Sequence, residues 1–143
     1  MSTIVLSGEG GKAFCAGGDV KSLYYAKTEP STATPHSLLK SFFYNEYKLD
    51  YKLATMNPLL VAFMDGIVMG GGVGISINAP IRIATEKSMF AMPEGKLGLF
   101  TDVGGGYFLS RLNHNLGYFI GLTGYRLKGA DLVHAGVADH FVE

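Results

Sequence analysis

The stretch LLVAFMDGIVMGGGVGIS, Leu59 to Ser76, decides how this chain is read. Leu59 to Met64 is an unbroken apolar run of strand length, and the glycines from Gly70 onward open a short helix over Gly70 to Asn78. A strand that ends in a glycine loop and feeds a helix is the repeating unit of α/β folds. The flanking sequence continues it. Downstream, Ile81 to Ala84 and Ser88 to Met92 read as short strands, Tyr107 to Leu112, Leu116 to Leu122 and Ala130 to Ala135 as helices, and His140 to Val142 as a last strand. Upstream, Ile4 to Leu6 reads as a buried strand ended by Gly8, Gly10 and Gly11. Asp19 is suited to N-cap a helix over Val20 to Ala26, and Thr28 to Pro35, rich in Ser, Thr and Pro, reads as a surface loop. From His36 to Met56, Leu39, Phe42, Leu49 and Leu53 recur at helical spacing until Pro58 closes the segment. Strands alternating with helices predict an α/β fold with parallel pairing.

With 143 residues the chain reads as one domain, able to bury roughly 68% of the surface it exposes when unfolded. Twelve basic and twelve acidic residues cancel, so no electrostatic footprint points to nucleic acid or to an anionic membrane surface. The apolar stretch from Pro58 to Ile77 is broken by Asp65 and filled with glycine, short of the roughly 20 clean residues of a membrane span. The single Cys15 has no partner for an internal disulfide, which suits a reducing compartment. Met1 is followed at once by strand-like residues, and no leader peptide is visible.

The chemistry concentrates in MPEGKLGLFTDVGGG, Met92 to Gly106, where Glu94 and Asp102 stand eight residues apart among glycines. A carboxylate near bare backbone amides is what attack on a carbonyl requires, because the oxyanion that develops must be stabilised where water is excluded. The loop MGGGVG, Met69 to Gly74, either lets a substrate lie directly on the backbone, with Gly71 the natural donor, or merely allows close helix packing; GGKAFCAGGD can offer a second amide near Gly18. Glu46 completes the series Leu39, Phe42, Glu46, Leu49, Leu53. Its carboxylate either projects from the apolar face as a site group or sits at the edge of that face as a solvated charge.

Competing arrangements fit less well. Gly8, Gly10 and Ala13 match a dinucleotide fingerprint, but Gly17 and Gly18 interrupt the helix that it must open. Ser76 lies in GISIN rather than in a GxSxG elbow. The four histidines are scattered and no metal-site spacing occurs. Cys15, in a loop between Phe14 and Ala16, reads as a small buried hydrophobe.

GGKAFCAGGD, FMDGIVMGGGVGIS, FAMPEGKLGLFTDVGGGYFLSRL and GYRLKGADLVHAGVADHFV together resemble the crotonase superfamily, most closely its 3-hydroxyisobutyryl-CoA hydrolase branch. The resemblance spans nearly the whole chain. It implies a crotonase-like ββα superhelix, incomplete at both ends, so that residues 1–143 form a partial acyl-CoA-binding domain. It implies that the Gly18 and Gly71 amides hold the thioester oxygen as an oxyanion hole and that Glu94 is the catalytic glutamate. Glu46 and Asp102 fall on further acidic substrate-site positions, Asp102 to engage the substrate hydroxyl or orient the acyl group.

By the same resemblance no cofactor is needed, coenzyme A being part of the substrate, and the setting is mitochondrial valine catabolism. The expected partner is the acyl-CoA, with no nucleic acid or membrane, and a homo-oligomer is left open. Enoyl-CoA hydratases of the fold carry a first glutamate in the helix that the glycines open, where this chain has Gly74, which argues against hydration. A hydratase or isomerase, and a non-catalytic subunit of a mitochondrial ribosome, are the alternatives. Because family members continue beyond both ends, the isolated chain is expected to hydrolyse poorly.

Overall fold

The computed structural model describes residues 2–28 and 35–143; the expected loop from Thr28 to Pro35 falls almost wholly outside them. Among the described residues, eight strands divide between two sheets in alternation. Strands β1 (Thr3–Ser7), β3 (Leu59–Met64), β5 (Ile81–Thr85) and β8 (His140–Val142) form one, in that order and all parallel. Strands β2 (Ala13–Cys15), β4 (Ile67–Met69), β6 (Met89–Ala91) and β7 (Leu127–Lys128) form the other, parallel except where β7 runs against β6. Each strand of the first sheet up to β5 is followed by a tight connection and a short strand of the second. A helical segment then returns the chain to the first sheet: α1 (Val20–Thr28) and α2 (Pro35–Thr55), then α3 (Gly71–Gly74), then α4 (Gly105–Leu109) and α5 (Leu116–Thr123), with α6 (Asp131–His134) before β8. This is the expected ββα repeat.

The tight connection from β3 to β4 depends on Asp65-Gly66. Gly66 has φ 86°, and a Cβ there would stand 2.6 Å from the Lys12 carbonyl oxygen, so only glycine lets the two strands turn at that place. Side-chain hydrogen bonds tie this turn to the next: Thr85 Oγ1 donates to Asp65 Oδ1 at 2.6 Å, and Ser88 Oγ donates to the Met64 carbonyl while accepting from the Thr85 amide at 2.7 Å. The core lies between the sheets and under the C-terminal helices, with Leu60, Met64, Val68, Phe90, Ile120 and Leu132 fully buried and Phe90 edge-on to Phe108. In β3 the alternate residues Leu60, Ala62 and Met64 are buried and the intervening ones half-buried, which is why the run reads as continuously apolar.

Several expectations need correction. Strand β1 exists but is not buried: it forms an edge of its sheet, and Ile4 and Val5 are exposed. Cys15 lies in β2, half-buried, rather than in a loop. Ile67 and Val68, which the sequence assigned to no element, form β4 together with Met69, which it placed in the glycine loop, and the helix expected over Gly70 to Asn78 is regular only from Gly71 to Gly74. The expected helix at Tyr107 to Leu112 starts and stops earlier, at Gly105 and Leu109. In α2 the expected face holds at Leu39, Phe42, Glu46 and Leu53 but not at position 49: Leu49 is exposed and Asp50 takes the buried position.

Candidate active site

Parallel neighbours end on the same side of a sheet, so the loops that follow β2, β4 and β6 gather at one place. The loop after β2 carries Gly17 and Gly18, and the turn after β4 carries Gly70 and Gly71. Gly70 has φ 52° and ψ −127°, a conformation open in practice only to glycine, and it starts α3 against the other loop. A Cβ on Gly17 would lie 3.4 Å from the Gly71 nitrogen and 3.5 Å from the Gly70 Cα. Gly18 and Gly71, assigned to one acyl oxygen by resemblance, are therefore brought together. Neither amide donates a hydrogen bond to any described residue.

Helix α2 crosses both glycine segments, and successive turns of it meet successive glycines. The Phe42 ring tip abuts Gly18, Glu46 Oε1 abuts Gly71 and the Asp50 carboxylate abuts Gly74; a Cβ on these glycines would stand 2.2, 2.6 and 2.6 Å from the respective side chains. Between helix and glycines runs an open cleft of about 480 Å³, with Cys15, Gly18, Phe42, Glu46, Gly71 and Ile75 in its walls.

Glu94 follows β6, where Pro93 starts a single 3-10 turn over Glu94–Leu97. Its side chain is only 5% exposed. Oε2 has no hydrogen-bond partner among the described residues, and Oε1 lies 3.8 Å from where a Gly70 Cβ would be. Asp102 is held in the following loop, next to Val103, which is buried yet has φ 44°. A β-branched residue in the left-handed region costs roughly 1–3 kcal/mol, tolerated here because the core fixes the Val103 side chain. The Tyr47 hydroxyl donates to Asp102 Oδ2 at 3.0 Å, and this bond joins α2 to the loop.

Four carboxyls thus gather with no basic partner: among the described residues none of Glu46, Asp50, Glu94 or Asp102 is ion-paired. Burial pushes Glu46 up to about 7, with the charges of Asp102 and then Asp50 acting in the same direction. Burial, then the Asp102 charge, pushes Asp50 up to about 6. Glu94 is raised chiefly by burial and further by Asp102, against a lowering hydrogen bond from its own backbone amide. The Tyr47 hydroxyl is held up to about 12, first by burial and then by its bond to Asp102. No group of three or more His, Cys, Asp or Glu among the described residues is arranged to hold a metal ion.

Glu46 lies at the cleft, not at a solvated edge. Ser76 donates its hydroxyl to the Gly72 carbonyl at 2.7 Å and is buried, an ordinary helix contact. Two residues were not singled out from the sequence. Tyr47 carried no signal there. Asp50 carried an ambiguous one: it follows Glu46 by four residues and precedes Leu53 by three, but Leu49 fits the same helical period. It also alters the meaning of Gly74, since a carboxylate stands over that glycine after all, supplied by α2.

Comparison with known proteins agrees with this architecture. A family model described as enoyl-CoA hydratase/isomerase matches residues 1–143. The mitochondrial 3-hydroxyisobutyryl-CoA hydrolase of Mus musculus is 54% identical over 140 residues and that of Homo sapiens 51%; the aligned region is 98% of this chain and 35% of either relative. The chain thus spans about a third of the length of these curated relatives. Among solved structures, an enoyl-CoA hydratase from Rhodobacter sphaeroides superposes with a TM-score of 0.87 at 37% identity, over 99% of this chain and 41% of that one. A carnitinyl-CoA dehydratase from Mycobacterium thermoresistibile does so with 0.86 at 39%, over 98% and 40%.

Proposed function

Because this chain belongs to the enoyl-CoA hydratase/isomerase family, we propose that its glycine-walled cleft takes an acyl-CoA thioester and hydrolyses it, with 3-hydroxyisobutyryl-CoA as the substrate. The hydrolase name of relatives at 50% identity and above supports the thioester, and their mitochondrial naming supports the same compartment; a place in valine breakdown follows from the family resemblance alone. The observation that carries the reading is Glu94, a buried carboxylate whose Oε2 has no hydrogen-bond partner among the described residues and whose Oε1 lies against Gly70, the residue that precedes the Gly71 amide.

In this mechanism the Gly18 and Gly71 amides bind the thioester oxygen and stabilise the negative charge it acquires in the transition state. Glu94 attacks the carbonyl carbon, or takes a proton from the water that does. The C–S bond breaks and the thiolate of coenzyme A leaves and is protonated. In the covalent route water then cleaves the mixed anhydride and restores Glu94. Asp102 engages the substrate hydroxyl, and Glu46, at the cleft wall, contacts the acyl group. No cofactor takes part, coenzyme A entering with the substrate.

Release of free thiol from 3-hydroxyisobutyryl-CoA tests the proposal. Replacing Glu94 with Gln removes nucleophile and base together and should lower turnover by roughly 10²–10⁴-fold; full turnover in that variant would sink it.

A second reading, addition of water to an enoyl-CoA, has one observation in its favour: the Asp50 carboxylate over Gly74 gives the glycine helix a second acidic group. Loss of the conjugated double bond of crotonyl-CoA, followed optically in the same samples, separates the two readings.

A further inference from the structure

Asp50 has no part in the hydrolysis as written, yet few polar groups in the molecule are so constrained. Its side chain is 8% exposed, neither carboxylate oxygen has a hydrogen-bond partner among the described residues, and the group is pressed against Gly74. One turn earlier, on the same face of α2, Glu46 is pressed against Gly71. Two carboxylates four residues apart on a helix repel each other, the more so when burial withholds water. The groups that face Glu46 bring no relief: Asp50 and Tyr47 on α2 and Asp102 from the loop before α4, with Glu94 beyond Gly70. The glycine turns contribute no charge, and Asp19, the acid nearest Gly18 in sequence, is engaged with Ser22 at the start of α1.

Resting on the hydrolase reading, we propose that Asp50 is a positioning residue that keeps Glu46 protonated, so that the Glu46 carboxylic acid donates a hydrogen bond to the substrate hydroxyl while Asp102 accepts the hydroxyl's own proton. A hydroxyl is donor and acceptor at once, and a pair of carboxyls in opposite protonation states is complementary to both functions. Asp102 is already an acceptor, since Tyr47 donates to it. Burial raises both carboxyls, and the Asp50 charge is among the causes that hold Glu46 up, so an ionised Asp50 favours the proton on Glu46. Burial and Asp102 act on Glu46 in the same direction, and Asp50 adds to them. A site that donates to and accepts from a hydroxyl leaves buried polar groups unmatched when the hydroxyl is missing, which makes Glu46 a specificity residue against plain acyl-CoA.

The experiment has two readouts. Carbon-13 NMR of the Glu46 carboxyl, assigned through Glu46→Gln, gives its titration midpoint in the wild type and in Asp50→Asn, with Asp50→Ala as the second variant should the amide misfold. The midpoint should fall by about half a pH unit or more when Asp50 is neutral. In parallel, the ratio of kcat/KM for 3-hydroxyisobutyryl-CoA over isobutyryl-CoA should drop several-fold in Asp50→Asn at pH 7.5, with its alkaline limb moved to lower pH. Adding Asp50→Asn to Glu46→Gln, which donates at every pH, should change neither. A Glu46 midpoint unmoved by both Asp50 variants overturns the role of Asp50 without reference to turnover, as does a loss of discrimination that persists in the Glu46→Gln background. A moved midpoint in a protein that releases no thiol leaves the coupling standing and overturns the hydrolase reading instead.

Discussion

Asp50 and Glu94 are buried carboxyls that fold at a cost, and the cost has a sign that can be measured. Asp50 is pushed up to about 6, well above the value it has in an unfolded chain, so between about pH 4 and pH 6 the folded state binds the extra proton. The stability associated with that proton is complete below the unfolded value and is lost as pH rises through 6. Asp50→Asn removes the charge but keeps the shape. It should unfold later in denaturant than the wild type at pH 8, by roughly 1–3 kcal/mol, with the advantage fading at pH 4; equal differences at both pH values would refute the account. Gly71→Ala is the matching test at the cleft, because its Cβ would stand 2.6 Å from Glu46 Oε1 and must displace that carboxyl. Thiol release should fall by at least about tenfold with little loss of stability, since a flexible side-chain end gives way. The sequence singled out Glu94, Asp102, Gly18 and Gly71, left Glu46 open between a site group and a solvated charge, and joined the five only through the family resemblance. Asp50 was not singled out, because a helical period leaves the choice between Leu49 and Asp50 to whichever face is covered, and only the glycine turn that covers it decides.

Among the elements, α3 matters out of proportion to its four residues, since it fixes Gly71 and supports both carboxyls of α2. Its seating depends on Gly72: a Cβ there would lie 2.0 Å from the Cys15 carbonyl oxygen, backbone that cannot yield without breaking β2. Gly72→Ala should therefore destabilise the fold by at least about 2 kcal/mol in chemical denaturation, unlike Gly71→Ala, whose obstacle is a side chain. The same contact explains which elements could be read in advance. β3 was legible in full, as an apolar run of six residues, β5 over four of its five residues, and α2 within a residue of its ends through its period and Pro58. β2 and β4 have three residues each and lie among glycines, too short for periodicity to register. They are strands because the neighbouring chain segments pair with them, information that no local window holds. β1 was legible as a strand but not as an exposed one, since burial depends on what packs beside it.

For the molecule as a whole, two sets of carboxyls oppose each other in pH. The site cluster, raised by burial, stabilises the fold below about pH 4 and loses that contribution as pH climbs through the range 6 to 7. Asp139 closes the chain before β8 onto β5: its Oδ2 accepts from the Arg82 amide at 2.8 Å and from Nε at 3.0 Å, and its Oδ1 from Nη2 at 2.7 Å. That side-chain fork is the main cause holding the Asp139 carboxyl below its usual range, so its contribution is present above the unfolded value of about 4 and vanishes as pH falls through the folded one. Summed, the two give a stability maximum near about pH 4, where the clamp is already ionised and the site carboxyls are still protonated, on the acid side of neutrality although the net charge is zero near pH 7. The partly exposed clamp is worth about 1 kcal/mol after screening. Thermal melts across pH 3 to 9 should show this maximum. Asp139→Asn should flatten only the acid limb, and Asp50→Asn only the limb above the maximum. A melting temperature highest at pH 8 in the wild type would mean that the site carboxyls have found partners in solution, and with it the electrostatic basis for a protonated Glu46 would be gone.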